Sequence, residues 1–301
     1  MLAIKKLYKY ITDQSWHLGF VYNGLDGVFA DGNLSVNWVK SPYKDRWFAD
    51  PFILDITEDS IFLLVEELRY KHPKGRIAKL TIDRHSFEIT DLKIILEEDT
   101  HLSFPNILRQ NGKSYVYPEN ANGEKQNLYE YDEANEKLVF AQTICDDVIW
   151  DSCITELFGR KQMFTAHKDD YHLDIYSWDE MTGRFFLSES IESKERNSRM
   201  AGQFFEYQGE IYCPFQNCER TYGGHIDLKK VTASEDGKFN FTKVKELHSP
   251  HRKYGEGLHT LNEYKGVAVI DVKGFNYYTG RIVARLAKRV KRLIKSIRND
   301  S

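Results

Sequence analysis

Cysteine is scarce in this sequence, and long apolar runs are missing. The four cysteines, Cys145, Cys153, Cys213 and Cys218, form no CxxC pair and show no metal-type spacing with histidine. No segment approaches the roughly 20 apolar residues that a membrane-spanning helix requires. P-loop, GxGxxG and GxSxG motifs are also missing, so the enzyme classes built on them have no support. We therefore expect neither a metal centre nor a resident cofactor.

A secretion signal is not apparent either. The chain begins MLAIKKLYKYITDQSW, which is basic but has no apolar core of the kind found in signal peptides. Together with the few cysteines, which form no CxxC pair, this favours a reducing, cytoplasmic location. Aromatic residues, in contrast, are abundant: 18 Tyr, 18 Phe and 5 Trp. They favour β-structure and surfaces on which sugars or bases stack.

Positive charge is concentrated at the C-terminus. Residues 281–301 carry eight Lys and Arg against one Asp, which leaves the rest of the chain with a net charge of −10. Apolar residues recur there with helical spacing, so we predict a basic amphipathic helix over 279–301 that lies on an anionic membrane. The alternative is a capping helix that packs on the acidic body of the protein. The acidity of this body argues against nucleic-acid binding. The predicted membrane contacts are Arg285, Lys288, Arg289, Arg292 and Lys295.

The remainder of the chain repeats one pattern: a short apolar strand, a turn and a second apolar strand. The pattern returns about every 50 residues without helical periodicity, which is typical of β-propeller blades. We predict an all-β, five-bladed propeller over residues 1–278, with N-terminal strands that close the ring by pairing with the last blade. The repeats are 49–67, 103–120, 153–168, 201–217 and 258–273, and the hairpin turns are Asn111-Gly112, Gly159-Arg160, Gln208-Gly209 and Lys265-Gly266.

Polar residues recur at two places in these repeats, and both sets are expected to converge on the propeller axis. Burying such groups without partners is costly, and a solvated pocket for a polyhydroxylated ligand would justify them. Capping of strand ends and hydrogen bonds between blades are the alternative explanation. The first strands begin with Asp50, Asn106, Asp151 with Glu156, Arg199 with Gln203, and His259, and the second strands end with Glu66 or Glu67, Glu119, His167, Gln216 and Asp271.

Carbohydrate chemistry requires carboxyl groups that transfer protons or stabilise an oxocarbenium-like centre. Asp50 and Asp151, with Glu156, are expected to supply base and acid. Arg199 and His259 are expected to pair with donor phosphate or leaving-group charge. The predicted catalytic residues are Asp50, Asp151, Glu156 and His259, and the predicted substrate-binding residues are Trp47, Glu67, Asn106, Glu119, Arg199, Gln203, Gln216 and Tyr222.

Several motifs resemble a known family in every blade. They include RWFADPF (46–52), HLSFPNIL (101–108), VIWDSCI (148–154), RMAGQFFEYQGEIYCPFQNCERTYG (199–223) and GLHTLNEYKGVAVID (257–271). From about residue 40 to 275 the chain resembles the N-terminal β-propeller domain of the glucosamine inositolphosphorylceramide transferase family. That domain also occurs in bacterial proteins of surface-polysaccharide gene sets, alone or fused to sugar-modifying enzymes. Since a separate transferase domain follows it in the plant members, the propeller is here either catalytic itself or a glycan-binding module for a partner.

More distantly, the ADP motif at 49–51 and the five-bladed plan resemble the furanosidase and arabinanase propellers. The first-blade Asp of those enzymes acts as base or nucleophile, and by this resemblance Asp50 takes that position. The same pattern requires a general-acid Glu in a middle blade, for which Glu119 and Glu156 are both candidates.

These observations together predict a function. We expect a glycosyltransferase of bacterial capsule, exopolysaccharide or O-antigen biosynthesis, located in the cytoplasm and bound peripherally to the inner face of the cell membrane. Its partners would be a sugar donor, which is nucleotide-activated in the simplest case, and a glycan or lipid-linked acceptor. A furanosidase-like glycoside hydrolase and a non-catalytic glycan-binding propeller are the alternatives.

Overall fold

The architecture is all-β. A computed structural model describes residues 12–120, 122–166 and 171–275, together with 277, 279–280, 282–284 and 286–287. Within this part of the chain, the strands form five antiparallel sheets. The sheets are the five blades of a β-propeller, which confirms the fold that the repeat predicts.

The first three blades each consist of four consecutive strands, with the innermost strand first in the chain. The innermost strands are buried over most of their length, whereas the outermost strands expose one face to solvent. Blade 1 contains β3 (Arg46–Ile56), β4 (Ser60–Arg69), β5 (His72–Asp83) and β6 (Ile89–Leu96). Blade 2 contains β7 (Ser103–Gln110), β8 (Lys113–Glu119), β9 (Gln126–Asp132) and β10 (Lys137–Cys145). Blade 3 contains β11 (Trp150–Leu157), β12 (Arg160–Ala166), β13 (His172–Asp179) and β14 (Arg184–Glu192).

The last two blades depart from this plan. In blade 4 the innermost strand is broken into two pieces that both pair with the second strand, and in blade 5 the N-terminal strands occupy the outer positions. Blade 4 contains β15 (Arg199–Met200), β16 (Phe205–Tyr207), β17 (Glu210–Asn217), β18 (His225–Ala233) and β19 (Phe239–Leu247). Blade 5 contains β20 (Gly257–Tyr264), β21 (Val267–Phe275), β1 (Gln14–Val21) and β2 (Val36–Trp38), and the helix α1 (Gly24–Phe29) connects β1 to β2.

Tight turns join the two inner strands of blades 2 to 5. Both central residues of each turn have positive φ, which is the geometry of type I′ hairpins. In blade 3 the turn consists of Phe158 and Gly159 rather than the predicted Gly159 and Arg160, because φ is already positive at Phe158. The other three turns are Asn111-Gly112, Gln208-Gly209 and Lys265-Gly266.

The hydrophobic core lies between adjacent blades rather than in one central mass. Phe52 of blade 1 meets Phe104 of blade 2 edge-to-face, with ring centroids 4.9 Å apart. Phe164 of blade 3 meets Phe239 of blade 4 in the same way at 5.2 Å. Side chains that fill the gaps between blades hold the blades in fixed positions, so polar groups on the innermost strands have defined neighbours across the axis.

The predicted C-terminal helix lies largely outside the described residues. Its five predicted membrane contacts, from Arg285 to Lys295, all fall among residues that the structure does not describe. Among the residues that are described, no helix has the length and apolar character needed to cross a membrane.

Candidate functional site

A β-bulge interrupts the innermost strand of each of the first three blades at the same level. The strand register shifts after Ala49 in β3, and equivalent shifts occur in β7 and β11. Asp50, Phe104 and Asp151 adopt positive φ at these bulges, 51°, 44° and 44°. Such a backbone conformation is unfavourable for non-glycine residues and is often found at functional sites. Two of the three bulge residues are the predicted catalytic aspartates.

Asp50, His259 and Asp271 form a buried cluster where blade 1 meets blade 5. His259 Nδ1 lies 2.7 Å from Asp271 Oδ1, and His259 Nε2 lies 3.4 Å from Asp50 Oδ1. Asp271 accepts further hydrogen bonds from the backbone N–H groups of Asp50 at 2.9 Å and of Thr260 at 3.0 Å. Asp50 accepts bonds from the Thr260 hydroxyl at 3.1 Å and from the Phe104 N–H at 3.0 Å. We name Asp50, His259 and Asp271 the axial cluster.

Two aromatic rings pack against His259 of the axial cluster. The Trp16 ring stacks on the His259 imidazole, with centroids 3.7 Å apart and planes inclined by 16°. Tyr222 meets the same imidazole edge-to-face at 5.5 Å and is 48% exposed. The Lys273 ammonium lies 5.2 Å from the Trp16 ring centroid and donates a hydrogen bond to the Tyr222 carbonyl oxygen. Aromatic rings with polar groups beside them suit the amphipathic faces of a sugar.

A second polar group surrounds Asp151. The Arg199 guanidinium donates to Asp151 Oδ2 at 2.7 Å, and the Gln216 amide donates to the same oxygen at 3.0 Å. The Asp151 N–H in turn donates to Glu119 Oε2 at 2.8 Å. Arg199 also lies 5.4 Å from the Tyr222 ring centroid, so Tyr222 contacts both polar groups. The structure thus brings Asp151, Glu119, Arg199 and Gln216 together, as the two sets of recurring polar residues predict.

Burial and mutual repulsion perturb the acid–base behaviour of these groups. Burial raises the pKa of Asp50 to about 8, although the His259 charge opposes this shift. Burial and the Asp151 charge raise the pKa of Glu119 well above its ordinary value. Burial lowers the pKa of His259, but the charges of Asp271 and Asp50 outweigh burial and raise it overall. Acid–base groups are most effective when their pKa lies near the working pH, so Asp50 is suited to proton transfer near neutrality.

Of the two adjacent glutamates in β4, Glu66 rather than the predicted Glu67 faces the axial cluster. The Glu66 charge is one of those that raise the pKa of Asp50. Neighbouring residues of a strand point to opposite faces, so Glu67 points away. It is fully buried and accepts hydrogen bonds from Arg46 and Arg76, each at 2.9 Å. This correction replaces the substrate-binding role predicted for Glu67 with a structural ion pair.

Asn106 and Gln203 connect blades instead of lining an open channel. The Gln203 side-chain amide donates to Asn106 Oδ1 at 2.8 Å, and Asn106 donates to the Ser152 carbonyl at 2.9 Å. The Gln203 backbone N–H donates to Asn262 Oδ1 at 2.8 Å, and Asn262 donates to the Pro51 carbonyl at 2.9 Å. These bonds join all five blades and match the alternative explanation, hydrogen bonding between blades.

Glu156 lies apart from Asp151. It follows Asp151 by five residues in β11, a separation of roughly 16 Å along an extended strand. Its exposed side chain lines a cavity of about 500 Å³ together with Lys161 and Trp178. Glu119 is therefore the middle-blade glutamate that lies at the site, and the placement of Glu156 beside Asp151 is corrected.

The other predicted residues lie beside the axial cluster or beyond the described part of the chain. Trp47 lines a cavity of about 200 Å³ that Trp16 also lines, so this cavity adjoins the ring that covers His259. His167 lies outside the described residues.

The axial cluster offers donor atoms for a cation. Asp50, His259 and Asp271 each present one ligand atom, and these atoms lie within 4.8 Å of one another. Two carboxylates and an imidazole suit a divalent ion. The Nδ1 of His259 is already bonded to Asp271, which leaves Nε2 as the nitrogen that faces Asp50.

Sequence reasoning missed three residues of the site. Trp16 lies in β1, outside the repeated segments, so the repeat pattern contains no signal for it. Lys273 follows Asp271 by two residues on the same face of β21. It could have been found by extending the search two positions beyond the polar residues that end the second strands. His101 lies just before β7, and its Nε2 is 3.0 Å from Glu66 Oε1.

Solved propeller structures share this fold. A β-xylosidase, RS223, superposes with a TM-score of 0.53 at 14% identity and covers 75% of this chain and 91% of its own. The GH43_1 enzyme from Xanthomonas citri complexed with xylotriose superposes with a TM-score of 0.52 at 14% identity, covering 75% of this chain and 86% of its own. Identities this low establish a common fold and nothing about activity.

Sequence relatives identify a family. Glucosamine inositolphosphorylceramide transferase 1 from Oryza sativa subsp. japonica is 24% identical over 247 residues, which are 72% of this chain and 33% of the rice protein. The protein of the same name from Arabidopsis thaliana is 24% identical over 249 residues, 73% of this chain and 32% of its own length. The chain thus spans about a third of the length of these relatives. Residues 34–272 match the family model described as glucosamine inositolphosphorylceramide transferase 1, N-terminal, and the chain therefore belongs to that family, as the motifs predict.

Proposed function

We propose that this propeller is a glycosyltransferase-like domain whose axial cluster takes part in sugar transfer. The observation that carries the proposal is the environment of Asp50: a carboxyl group with a pKa of about 8, beside His259, whose imidazole packs against the rings of Trp16 and Tyr222. A buried carboxyl group with this pKa close to aromatic rings is suited to moving a proton on a bound sugar. Membership of a family named for a transferase also supports sugar transfer as the function.

In this proposal Asp50 is the general base. It removes the proton of the acceptor hydroxyl as that oxygen forms a bond to the anomeric carbon of the donor sugar. The bond from the anomeric carbon to the leaving group breaks at the same time, and the departing phosphate keeps the electron pair. Arg199 and Lys273, which both lie close to Tyr222, supply positive charge for this phosphate.

We further propose a setting for this reaction. The donor is a nucleotide-activated sugar, the acceptor is a glycan or lipid-linked sugar, and the product belongs to a bacterial surface polysaccharide. The basic segment 279–301 holds the protein at the cytoplasmic face of an anionic membrane, where a lipid-linked acceptor is found. The support for this setting is the C-terminal cluster of eight Lys and Arg.

Hydrolysis is the second candidate function. It is favoured by the raised pKa of Glu119, which suits this carboxyl group to donate a proton. A hydrolase would use water as acceptor, and Glu119 would give its proton to a leaving hydroxyl. A phosphate leaving group needs no such proton. The two reactions therefore differ in their dependence on Glu119.

The test combines substrates with three variants. Purified protein with anionic vesicles is assayed against nucleotide-sugar donors with lipid-linked acceptors, and separately against aryl glycosides without donor. Asp50→Asn and Glu119→Gln probe the two roles, and Glu156→Gln is the matched control for a carboxyl group outside the site. Donor-dependent product that requires Asp50 and tolerates Glu119→Gln supports transfer. Sugar release that requires both residues would replace transfer with hydrolysis, and glycan binding without turnover would leave a recognition module.

A further inference from the structure

A third polar group lies in blade 4, away from both the axial cluster and the residues around Asp151. His225 and Asp227 are two residues apart in β18 and therefore share one face of the strand. Glu246 of β19 pairs directly with Asp227, and His248 follows Glu246 by two residues. The imidazoles of His225 and His248 pack against each other with centroids 4.7 Å apart. Two histidines and two carboxylates thus occupy neighbouring positions on one face of the blade.

Two atoms of this group are buried and face each other without a hydrogen bond. His225 Nε2 lies 3.3 Å from Asp227 Oδ1, and neither atom has a hydrogen-bond partner among the residues that the structure describes. The Asp227 side chain is fully buried. A carboxylate oxygen without a hydrogen bond at such a depth is unfavourable unless a cation compensates it, and the Lys243 ammonium at 3.6 Å does so only in part.

The rest of the Asp227 carboxylate is held in place. Its Oδ2 accepts hydrogen bonds from the side-chain amides of Asn197 at 2.9 Å and Asn217 at 3.1 Å. These bonds orient the group so that Oδ1 is left for another partner. Outer partners that orient a ligand in this way are typical of metal sites.

From these contacts we infer that His225, Asp227 and Glu246 form a binding site for Zn²⁺. One ligand atom from each residue lies within 4.8 Å of the others. In a tetrahedral zinc site with bonds of about 2.0–2.1 Å, two ligand atoms are separated by about 3.3 Å. The distance between His225 Nε2 and Asp227 Oδ1 has this value. Imidazole and carboxylate ligands are among those that zinc prefers.

Lys243 competes with the metal. Its ammonium lies 3.6 Å from Asp227 Oδ1 and 2.7 Å from Glu246 Oε1, so it partly neutralises both carboxylates. Because this side chain is 40% exposed, it can turn outward into solvent when the metal binds. Replacing Lys243 with an uncharged residue should therefore strengthen zinc binding rather than weaken it.

The site has a structural consequence near Tyr222. Asn217, which binds Asp227, ends β17, and His225 begins β18. The loop between these two strands carries Tyr222 over His259. Zinc bound at the start of β18 would fix both ends of this loop, so metal occupancy should stabilise this part of blade 4.

The experiment is a zinc titration of the full chain, freed of metal by a chelator, with a chromophoric competitor. Wild type is expected to bind Zn²⁺ at micromolar or lower concentration, with Asp227→Asn and His225→Ala at least about tenfold weaker and Lys243→Met tighter. Co²⁺ substitution provides a second readout, since intense visible absorption reports tetrahedral geometry. Zinc should also raise the melting temperature of wild type and not of Asp227→Asn.

Two controls make the assignment specific. His85→Ala removes an exposed histidine that lies 3.8 Å from Asp59 in blade 1, and it should leave zinc binding unchanged. Asp50→Asn removes a ligand of the axial cluster and should also leave this affinity unchanged. Binding that survives His225→Ala and Asp227→Asn, or that is lost only in Asp50→Asn, would overturn the proposal. So would a wild-type protein that binds zinc only at millimolar concentration.

Discussion

The backbone N–H of Asp50 donates a hydrogen bond to Asp271 Oδ2 at 2.9 Å, although 221 positions separate the two residues in the chain. Asp271 is fully buried, and its Oδ1 also accepts backbone N–H bonds from His259 and Thr260. One carboxylate therefore joins the first blade to the fifth at the level of the candidate site. The same bonds that hold the ring together also position Asp50 and His259.

Replacement of Asp271 should destabilise the fold. Asp271→Ala removes the acceptor of three buried N–H groups, and we expect the free energy of unfolding to fall by more than about 3 kcal/mol. Urea denaturation measures this loss. Asp55→Asn, which breaks an exposed ion pair with Lys265, is the control and should cost less than about 1 kcal/mol. A loss of that small size in Asp271→Ala would contradict the role assigned to it.

The raised pKa of Asp50 predicts a pH-dependent penalty on folding. The pKa is about 8 in the folded protein against an ordinary value of 3.8, so the unfolded chain ionises first. Wild type should therefore lose stability relative to Asp50→Asn as the pH rises from about 4 to 8, by on the order of a few kcal/mol. Denaturation of both proteins at pH 5 and pH 8 measures the difference. A gap that is the same at both pH values would show that the pKa is not raised.

If Asp50 is the general base of the proposed sugar transfer, the rate of that reaction should follow the ionisation of Asp50. A general base works only when it has lost its proton, so kcat/KM should rise with pH up to an apparent pKa near 8. Glu66→Gln removes a negative charge that raises this pKa and should move the rising limb to lower pH. An unshifted limb in this variant would argue against Asp50 as the group that titrates.

Glu67→Gln tests whether the neighbouring glutamate is structural. It removes the buried negative charge that pairs with Arg46 and Arg76, which keep only the exposed carboxylates of Asp45 and Glu97, and we expect a loss of about 2–3 kcal/mol in the free energy of unfolding. The pH profile of the proposed transfer reaction should stay unchanged, in contrast to Glu66→Gln. Reversed effects in the two variants would overturn the assignment of Glu66 to the site.

Trp16 should contribute to glycan affinity. Its ring stacks on His259 and lines the adjoining cavity, so Trp16→Ala should weaken glycan binding about tenfold, whereas Trp16→Phe should retain part of the affinity. Calorimetric titration with the glycan identified in the substrate screen measures both variants. Trp178→Ala is the control, because Trp178 lines a separate cavity with Glu156. Equal losses at Trp16 and Trp178 would indicate a general packing effect.

Local sequence features predict the blades because the physics of a hairpin is local. Glycine and its neighbour at the turns adopt the positive φ that a type I′ hairpin requires, and the alternation of apolar residues marks the strands on either side. The repeat of about 50 residues then predicts five blades. The same pattern predicts which polar residues lie near the axis: Asp50, Glu119, Asp151, Arg199, Gln216 and His259.

The pattern fails where a small error in alignment changes which residue faces the site. The repeat aligns Glu156 with Asn106, whereas the strand pairing makes Cys153 the equivalent of Asn106, because each is the first paired residue after the bulge of its innermost strand. In the same way, sequence alone does not separate Glu66 from Glu67, because a shift of one residue reverses the face of a strand. The zinc ligands also escape a spacing search, since Asp227 and Glu246 meet only through the pairing of β18 with β19.

The sequence by itself determined the class of fold, the number of blades and the polar residues available near the axis, because turn chemistry and periodicity act over a few residues. The tertiary structure alone decided which of those groups meet. Closure of the ring brings Trp16 and His259 to Asp50, and their burial moves the pKa of that carboxyl group close to neutrality. Burial and long-range contact depend on the packing of whole blades, and no local pattern encodes them.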